Sequence, residues 1–186
     1  MNNYNHELNN QQLEKIKIKG LKNRLKNDCN MLYKDYHNVR IDVKDIDPIT
    51  IYADEFIYMC NTINNKEIVS VKKRTYKFIL TIQYPFYPPK IFVNNHPYIS
   101  ILQTRGDYEK KMLKKIKDQD CLCCHSINCS ANWSPAIKLN RIIGEINNTL
   151  KFKRDIINLL LADKIKIRYN IPYAHIEEYL VFPLCL

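Results

Sequence analysis

Four of the chain's seven cysteines, Cys121, Cys123, Cys124 and Cys129, fall within nine residues; His125 sits among them and the single tryptophan, Trp133, follows. Thiols this dense support three chemistries. An accessible thiolate that is not too basic is a nucleophile for acyl transfer. Cysteine and histidine together can hold a tetrahedral zinc ion. Paired thiols form a disulfide where the compartment is oxidising. The cysteine count is odd and the opening "MNNYNHELNNQQ" has no apolar segment, so we expect no signal peptide, free thiols and a reducing compartment, cytoplasmic or nuclear. That makes the disulfide the weakest reading. Zinc has enough donors, but Cys123 and Cys124 are adjacent and no second Cys-x-x-Cys knuckle closes a site, so no metal is expected. Zinc on Cys121, Cys123 and Cys129 would leave Cys124 free. Cys29 and Cys60 read as packing cysteines.

A length of 186 residues predicts one domain with a real core, residues 11–186, behind a disordered tail at 1–10. The net charge of +10 calls for an acidic partner or a solvated basic face. The basic residues gather in "KIKIKGLKNRLK", "VKKRTYK" and "EKKMLKKIK" with no aromatic-rich RNA-binding pattern between them, so nucleic acid is the weaker expectation. The longest apolar run, Ile156 to Ala162, is too short to cross a membrane.

The elements that must position the cysteines can be read from periodicity. Leu21, Leu25, Cys29 and Leu32 recur at helical spacing and predict a helix from Leu13, with Lys17, Lys22, Lys26 and Asp28 on its opposite side. Val39, Ile41 and Val43 alternate with Arg40, Asp42 and Lys44, which predicts a strand. Further strands are expected at Asp54–Ile63, Thr75–Ile82 and Lys90–Asn94, with a turn in "INNKEI" and an ordered Pro-rich loop in "QYPFYPPK". Residues 98–120 read as a polar insertion, helical in part near Met112, Leu113 and Ile116. A helix is predicted over Ser134–Leu150, capped by Ser134, with Pro135 in its first turn and Leu139, Ile142, Ile143 and Ile146 facing the core. Helical pieces follow at Phe152–Tyr169 and Pro172–Phe182. The expected class is α+β: an N-terminal helix, a four-stranded antiparallel meander, and C-terminal helices.

Three motifs in order, "YPFYPPK" at Tyr84–Lys90, "HPY" at His96–Tyr98 and "WSPA" at Trp133–Ala136, resemble the ubiquitin-conjugating enzyme family, over residues 75–150. The resemblance implies that family's fold. It also implies its chemistry: ubiquitin or a ubiquitin-like protein is accepted from an activating enzyme as a cysteine thioester, then passed to the lysine of a substrate protein, with a ligase assisting. No cofactor is bound, since ATP is used by the upstream activating enzyme. In the family the nucleophile precedes the motif tryptophan by about eight residues and is followed by leucine. Here His125 holds that spacing. Cys124 is one residue off and is the first choice; Cys121, followed by Leu122, is the alternative nucleophile, and Cys123 the third. The family's asparagine after His-Pro supports the active loop and is assigned to the oxyanion; Tyr98 stands in its place, with His96 as a structural histidine and Asn94, Asn95, Asn128 or Asn132 as substitutes. Phe86, Ser134, Pro135 and Ala136 match the ligase-binding surface, and Lys15, Lys19 and Lys22 match the face toward the activating enzyme. Trp133 reads as structural. Tyr98 in place of asparagine also fits a catalytically inactive variant that serves as a binding module. A small basic zinc protein that binds nucleic acid explains the charge and cysteines but not the Tyr-Pro-Phe loop.

Overall fold

The computed structural model describes residues 10–16, 18–43, 47–63, 66–104 and 106–169. The fold is α+β. Helix α1 (Lys19–Asp35) leads into strands β1 (His37–Asp42), β2 (Ile49–Ile63), β3 (Lys66–Leu80), β4 (Lys90–Val93) and β5 (His96–Pro97). Helices α2 (Tyr98–Leu102), α3 (Asp107–Lys117) and α4 (Leu139–Tyr169) follow, with a 3-10 turn at Cys123–His125 between α3 and α4. The five strands form one antiparallel meander in the order β1-β2-β3-β4-β5.

Alternation along the strands decides which face is the core. Val39, Ile41, Ile49, Ile51, Ala53, Tyr76, Phe78, Leu80, Ile91 and Val93 are buried and join the apolar stripes of α1 and α4. On the other face the register places Arg40, Tyr52, Lys77 and Phe92 in one row across four strands. Arg40 lies 4.4 Å over the Tyr52 ring and Lys77 5.6 Å over Phe92, so these cations cover the half-buried aromatics.

The four predicted core residues of α4 are all fully buried, as are Leu25 and Leu32 of α1, with Leu21 and Cys29 close to it. Several boundaries differ from the sequence reading. Residues 10–14 make a separate helical turn, Ile18 is extended, and α1 begins at Lys19. Asp28 is buried, not on the solvent side. The sheet has five strands, not four, because Asn94 and Asn95 both take positive φ (49° and 65°) and turn the chain so that His96 pairs with Val93. β2 and β3 extend well past the expected segments; β1 pairs with β2 only as far as Asp54, so beyond it the two run on as a bare ribbon. Residues 98–120, expected to be helical in part, hold two helices, and the one over Asp107–Lys117 includes the expected Met112, Leu113 and Ile116. In α3, Leu113 is buried, Asp107 and Glu109 lie in the first turn, and lysines fill the last, which complements the helix dipole. α4 starts at Leu139 rather than Ser134 and continues unbroken through the second expected piece. The predicted tail, apart from residue 10, and the segment Pro172–Phe182 lie outside the described residues.

The late start of α4 has a physical cause. Arg24 of α1 donates from Nη1 to the Pro135 carbonyl (2.6 Å) and from Nη2 to the Ile137 carbonyl and to Tyr84 Oη (3.2 Å). Its Nε donates to Asp28 Oδ2 (2.8 Å), which also accepts the Tyr84 hydroxyl (2.5 Å). Guanidinium donors compete with helical N–H groups for these carbonyls; Ile137 N bonds back to Ser134 O as a turn, and Ile142 N to Lys138 O opens the helix. One side chain thus ties α1 to both loops that flank the cysteine segment. Asp28 is fully buried, so removing either charge strands the other. Arg24→Ala and Asp28→Ala should each lower stability by about 3–5 kcal/mol in urea unfolding, with the double variant well short of the sum. A loss under about 1 kcal/mol for Arg24→Ala would show that the loops are held by other contacts.

Candidate active site

Cys121, Cys123, Cys124 and Cys129 lie in the connection from α3 to α4, and none is in a disulfide. Leu122 is buried and anchors the segment, and the short turn Cys123–His125 folds the chain back over it. The Cys123 thiol donates to Cys121 Sγ at 3.2 Å, Cys123 and Cys124 sulfurs are 3.9 Å apart, and the Cys124 backbone N–H points at Cys121 Sγ at 3.4 Å. Cys121 and Cys123 are half-buried and Cys124 is exposed. Hydrogen bonds from the Cys124 thiol, the Cys124 backbone N–H and the Cys123 thiol hold the Cys121 thiol below its ordinary value. The same arrangement, with charge settling first on Cys121, pushes Cys124 up to about 12. Of the Cys121 and Cys124 thiols, these hydrogen bonds favour ionisation at Cys121.

Glu145 of α4 holds the segment beyond the cluster. Its Oε1 accepts the Ser126 hydroxyl (2.6 Å) and the Tyr98 hydroxyl (2.9 Å), and its Oε2 accepts the Ile127 backbone N–H (2.7 Å). Asn132 Nδ2 donates to the carbonyls of Cys124 (2.8 Å) and Ser126 (3.1 Å) and closes the loop from the other end. Between them opens a groove of about 390 Å³ lined by Tyr98, Leu102, Cys123, Cys124, Asn128 and Cys129, among others.

Tyr98 is buried, and its hydroxyl is committed to Glu145 and to Thr149 (3.2 Å). Burial raises that phenol far above its ordinary value, with Glu145 adding to the rise. His96 stands exposed in β5. Of the four asparagines considered as substitutes, Asn128 lines the groove and Asn132 braces the loop. Asn94 instead accepts the Thr75 backbone N–H at the β4–β5 corner, and Asn95 is exposed beside it.

The two flanking loops meet through Trp133, whose Nε1 donates to the Pro85 carbonyl (2.8 Å) and whose ring lies against Tyr84. Phe86 is 73% exposed, and Ser134, Pro135 and Ala136 are exposed beside that junction. Lys15 and Lys19 are exposed at the start of α1, while Lys22 is paired with Glu14 at 2.7 Å. Arg24, Asp28 and Glu145 went unread as site-building residues. The only sequence signal for Glu145 was an acid one residue before a core isoleucine, which single-sequence periodicity treats as solvent-facing. No protein-family model, curated protein or solved structure matches this chain.

Two outcomes follow from this geometry. In the reduced protein at neutral pH, iodoacetamide followed by peptide mapping should modify Cys121 before the more exposed Cys124, and leave Cys29 untouched, since burial pushes that thiol up to about 12. Faster labelling at Cys124 would place the thiolate there instead. Glu145→Ala should cost about 2–4 kcal/mol and speed amide exchange at Ile127, because two or more buried donors lose a charged acceptor. Unchanged exchange at Ile127 would mean that Asn132 alone suffices.

Proposed function

We propose that this chain is a ubiquitin-conjugating enzyme with that family's fold, and that Cys121 is its acceptor. The observation that carries the reading is a free thiol cluster with Cys123 and Cys124 at a groove, in a segment tied to the Tyr84–Lys90 loop by the Asn128 Nδ2 bond to the Pro89 carbonyl (3.3 Å). The order of elements supports it: a helix, a meander, a Pro-rich loop, the cysteine segment, then a long helix.

In the charging step the Cys121 thiolate attacks the carbonyl of the modifier's C-terminal thioester on the activating enzyme. A carbon–sulfur bond forms to Cys121 and the activating enzyme's thiolate leaves, so the exchange is close to balanced and needs no strong base. In the transfer step a substrate lysine amine attacks the new thioester, an amide forms, Cys121 leaves as thiolate, and the amine's proton passes to solvent. The Cys124 N–H and Cys123 thiol, both directed at Cys121 Sγ, favour the thiolate on both sides of the cycle. Cys121 is also the cysteine followed by leucine, Leu122, and that leucine is buried. Both points move the choice from Cys124 to Cys121. With the Tyr98 hydroxyl engaged, the oxyanion role falls to Asn128, which lines the groove and has a second amide N–H beside the one donated to the Pro89 carbonyl. Removing such a donor costs roughly 10²–10³ in rate. The exposed Phe86 and Ser134–Ala136 form the surface for a ligase, and Lys15 and Lys19 a basic face for the activating enzyme.

The engaged Tyr98 hydroxyl favours a second reading, a binding module that keeps the fold and has lost transfer.

A charging assay separates the two. With activating enzyme, ATP and ubiquitin, the wild-type chain and Cys124→Ala should form an adduct that thiol reductant removes, and Cys121→Ala should form none. An adduct lost only in Cys124→Ala would return the nucleophile to Cys124. No adduct with the wild type, beside a working control enzyme, would favour the binding module.

A further inference from the structure

We propose that Cys121, Cys123 and Cys124 form a three-thiolate site for a zinc ion, and that the bound ion blocks charging. Among the described residues this is the one group of three histidine, cysteine, aspartate or glutamate ligand atoms that all lie within 4.8 Å of one another. An ion about 2.3 Å from each of three sulfurs spaces them about 3.7–4.0 Å apart. The Cys123–Cys124 pair is already at 3.9 Å and the Cys121–Cys123 pair at 3.2 Å, so loading requires shifts of a few tenths of an ångström to about an ångström.

The spacing of these cysteines argued against adjacent ligands, and the 3-10 turn removes that objection. It carries Cys124 back over Cys121, so that the two sulfurs flank Cys123 rather than pointing apart. Cys129 lines the groove and is not a member of the group. Sulfur donors alone select a soft or borderline ion over calcium or magnesium. Three protein ligands leave a fourth position, and Cys124 at the groove opens that position to solvent. The Cys124 N–H directed at Cys121 Sγ supplies the second-shell hydrogen bond that a metal-bound thiolate uses. On loading, each thiol that becomes a ligand gives its proton to the buffer, and no oxidation is involved.

The consequence for charging rests on the proposed function: zinc draws electron density from the Cys121 sulfur and crowds it between two other ligands, which lowers its nucleophilicity and its access to a thioester. The same three sulfurs then hold either an ion or, on Cys121, an acyl group. Zinc release would be the step that arms the enzyme.

The test uses the full chain, stripped of metal and kept reduced with a non-thiol reductant. Cobalt(II) added alone should produce sulfur-to-metal charge-transfer absorption that saturates at one equivalent, and zinc should displace it. Cys121→Ser, Cys123→Ser and Cys124→Ser should each weaken zinc binding by at least ~10–100-fold, the loss that even an outer-shell partner causes. Cys129→Ser should not. Cys124 is exposed, so its variant separates ligand loss from misfolding, with far-ultraviolet circular dichroism as the check. Absence of charge-transfer absorption, a Cys121–Cys123 disulfide in its place, or binding unaffected by Cys123→Ser would overturn the site. In the charging assay one equivalent of zinc should remove the adduct and a chelator should restore it. Undiminished charging by the zinc-loaded chain would overturn the block. If the metal-free chain forms no adduct at all, the proposed function has failed, and the cobalt titration still decides the metal site.

Discussion

A single buried ion pair organises this molecule. Arg24 and Asp28 lie one turn apart on α1, inside the protein rather than at its surface. A buried charge pair rarely adds net stability over an apolar one, because desolvation consumes the attraction. Its value here is geometric. The guanidinium has five N–H donors in a fixed plane, and four of the bonds they make go to Asp28, Tyr84, Pro135 and Ile137. Those partners come from three separate stretches of chain. A lysine has three donors on one rotatable ammonium and could not make these four bonds from a fixed plane.

The cysteine segment depends on that frame. It leaves α3, crosses the groove and must re-enter at the start of α4, where Arg24 holds the two carbonyls before the helix. Inside this span Glu145 and Asn132 take up the backbone groups that an irregular loop would otherwise leave unpaired. The result is a loop that is irregular in conformation yet braced at both ends. A thiol cluster needs that bracing. Sulfurs 3–4 Å apart influence one another's charge only while their separation is held, and a floppy Cys-rich loop would average the effect away.

Tyr98 shows how the chemistry of a position changes with its burial. As a residue following His-Pro, it stands where a loop-supporting amide is expected from the resemblance. As a buried phenol it is spent on Glu145 and Thr149, and through Glu145 it supports the cysteine loop from beneath. The Tyr98 hydroxyl is therefore a support of the cysteine loop.

The amino-acid sequence by itself determined the α+β class, the apolar stripes of α1 and α4, the core-facing positions of β1, and the concentration of thiols near residue 121. Each of these is a local pattern, set by the period of a helix or strand or by composition. The sequence reading went astray where long-range contacts override local preference. Ser134 and Pro135 have the chemistry of a helix start, yet Arg24, more than a hundred residues away, holds the Pro135 and Ile137 carbonyls, and the helix begins at Leu139. Asp28 has the chemistry of a surface residue, yet Tyr84 and Arg24 bury it. At the cysteines the sequence offers linear spacing alone, and the folded turn at Cys123–His125 adds that Cys121 Sγ receives the Cys123 thiol and the Cys124 N–H. Local period is written along the chain; the partner of a buried charge is decided by which distant segments the tertiary structure brings together.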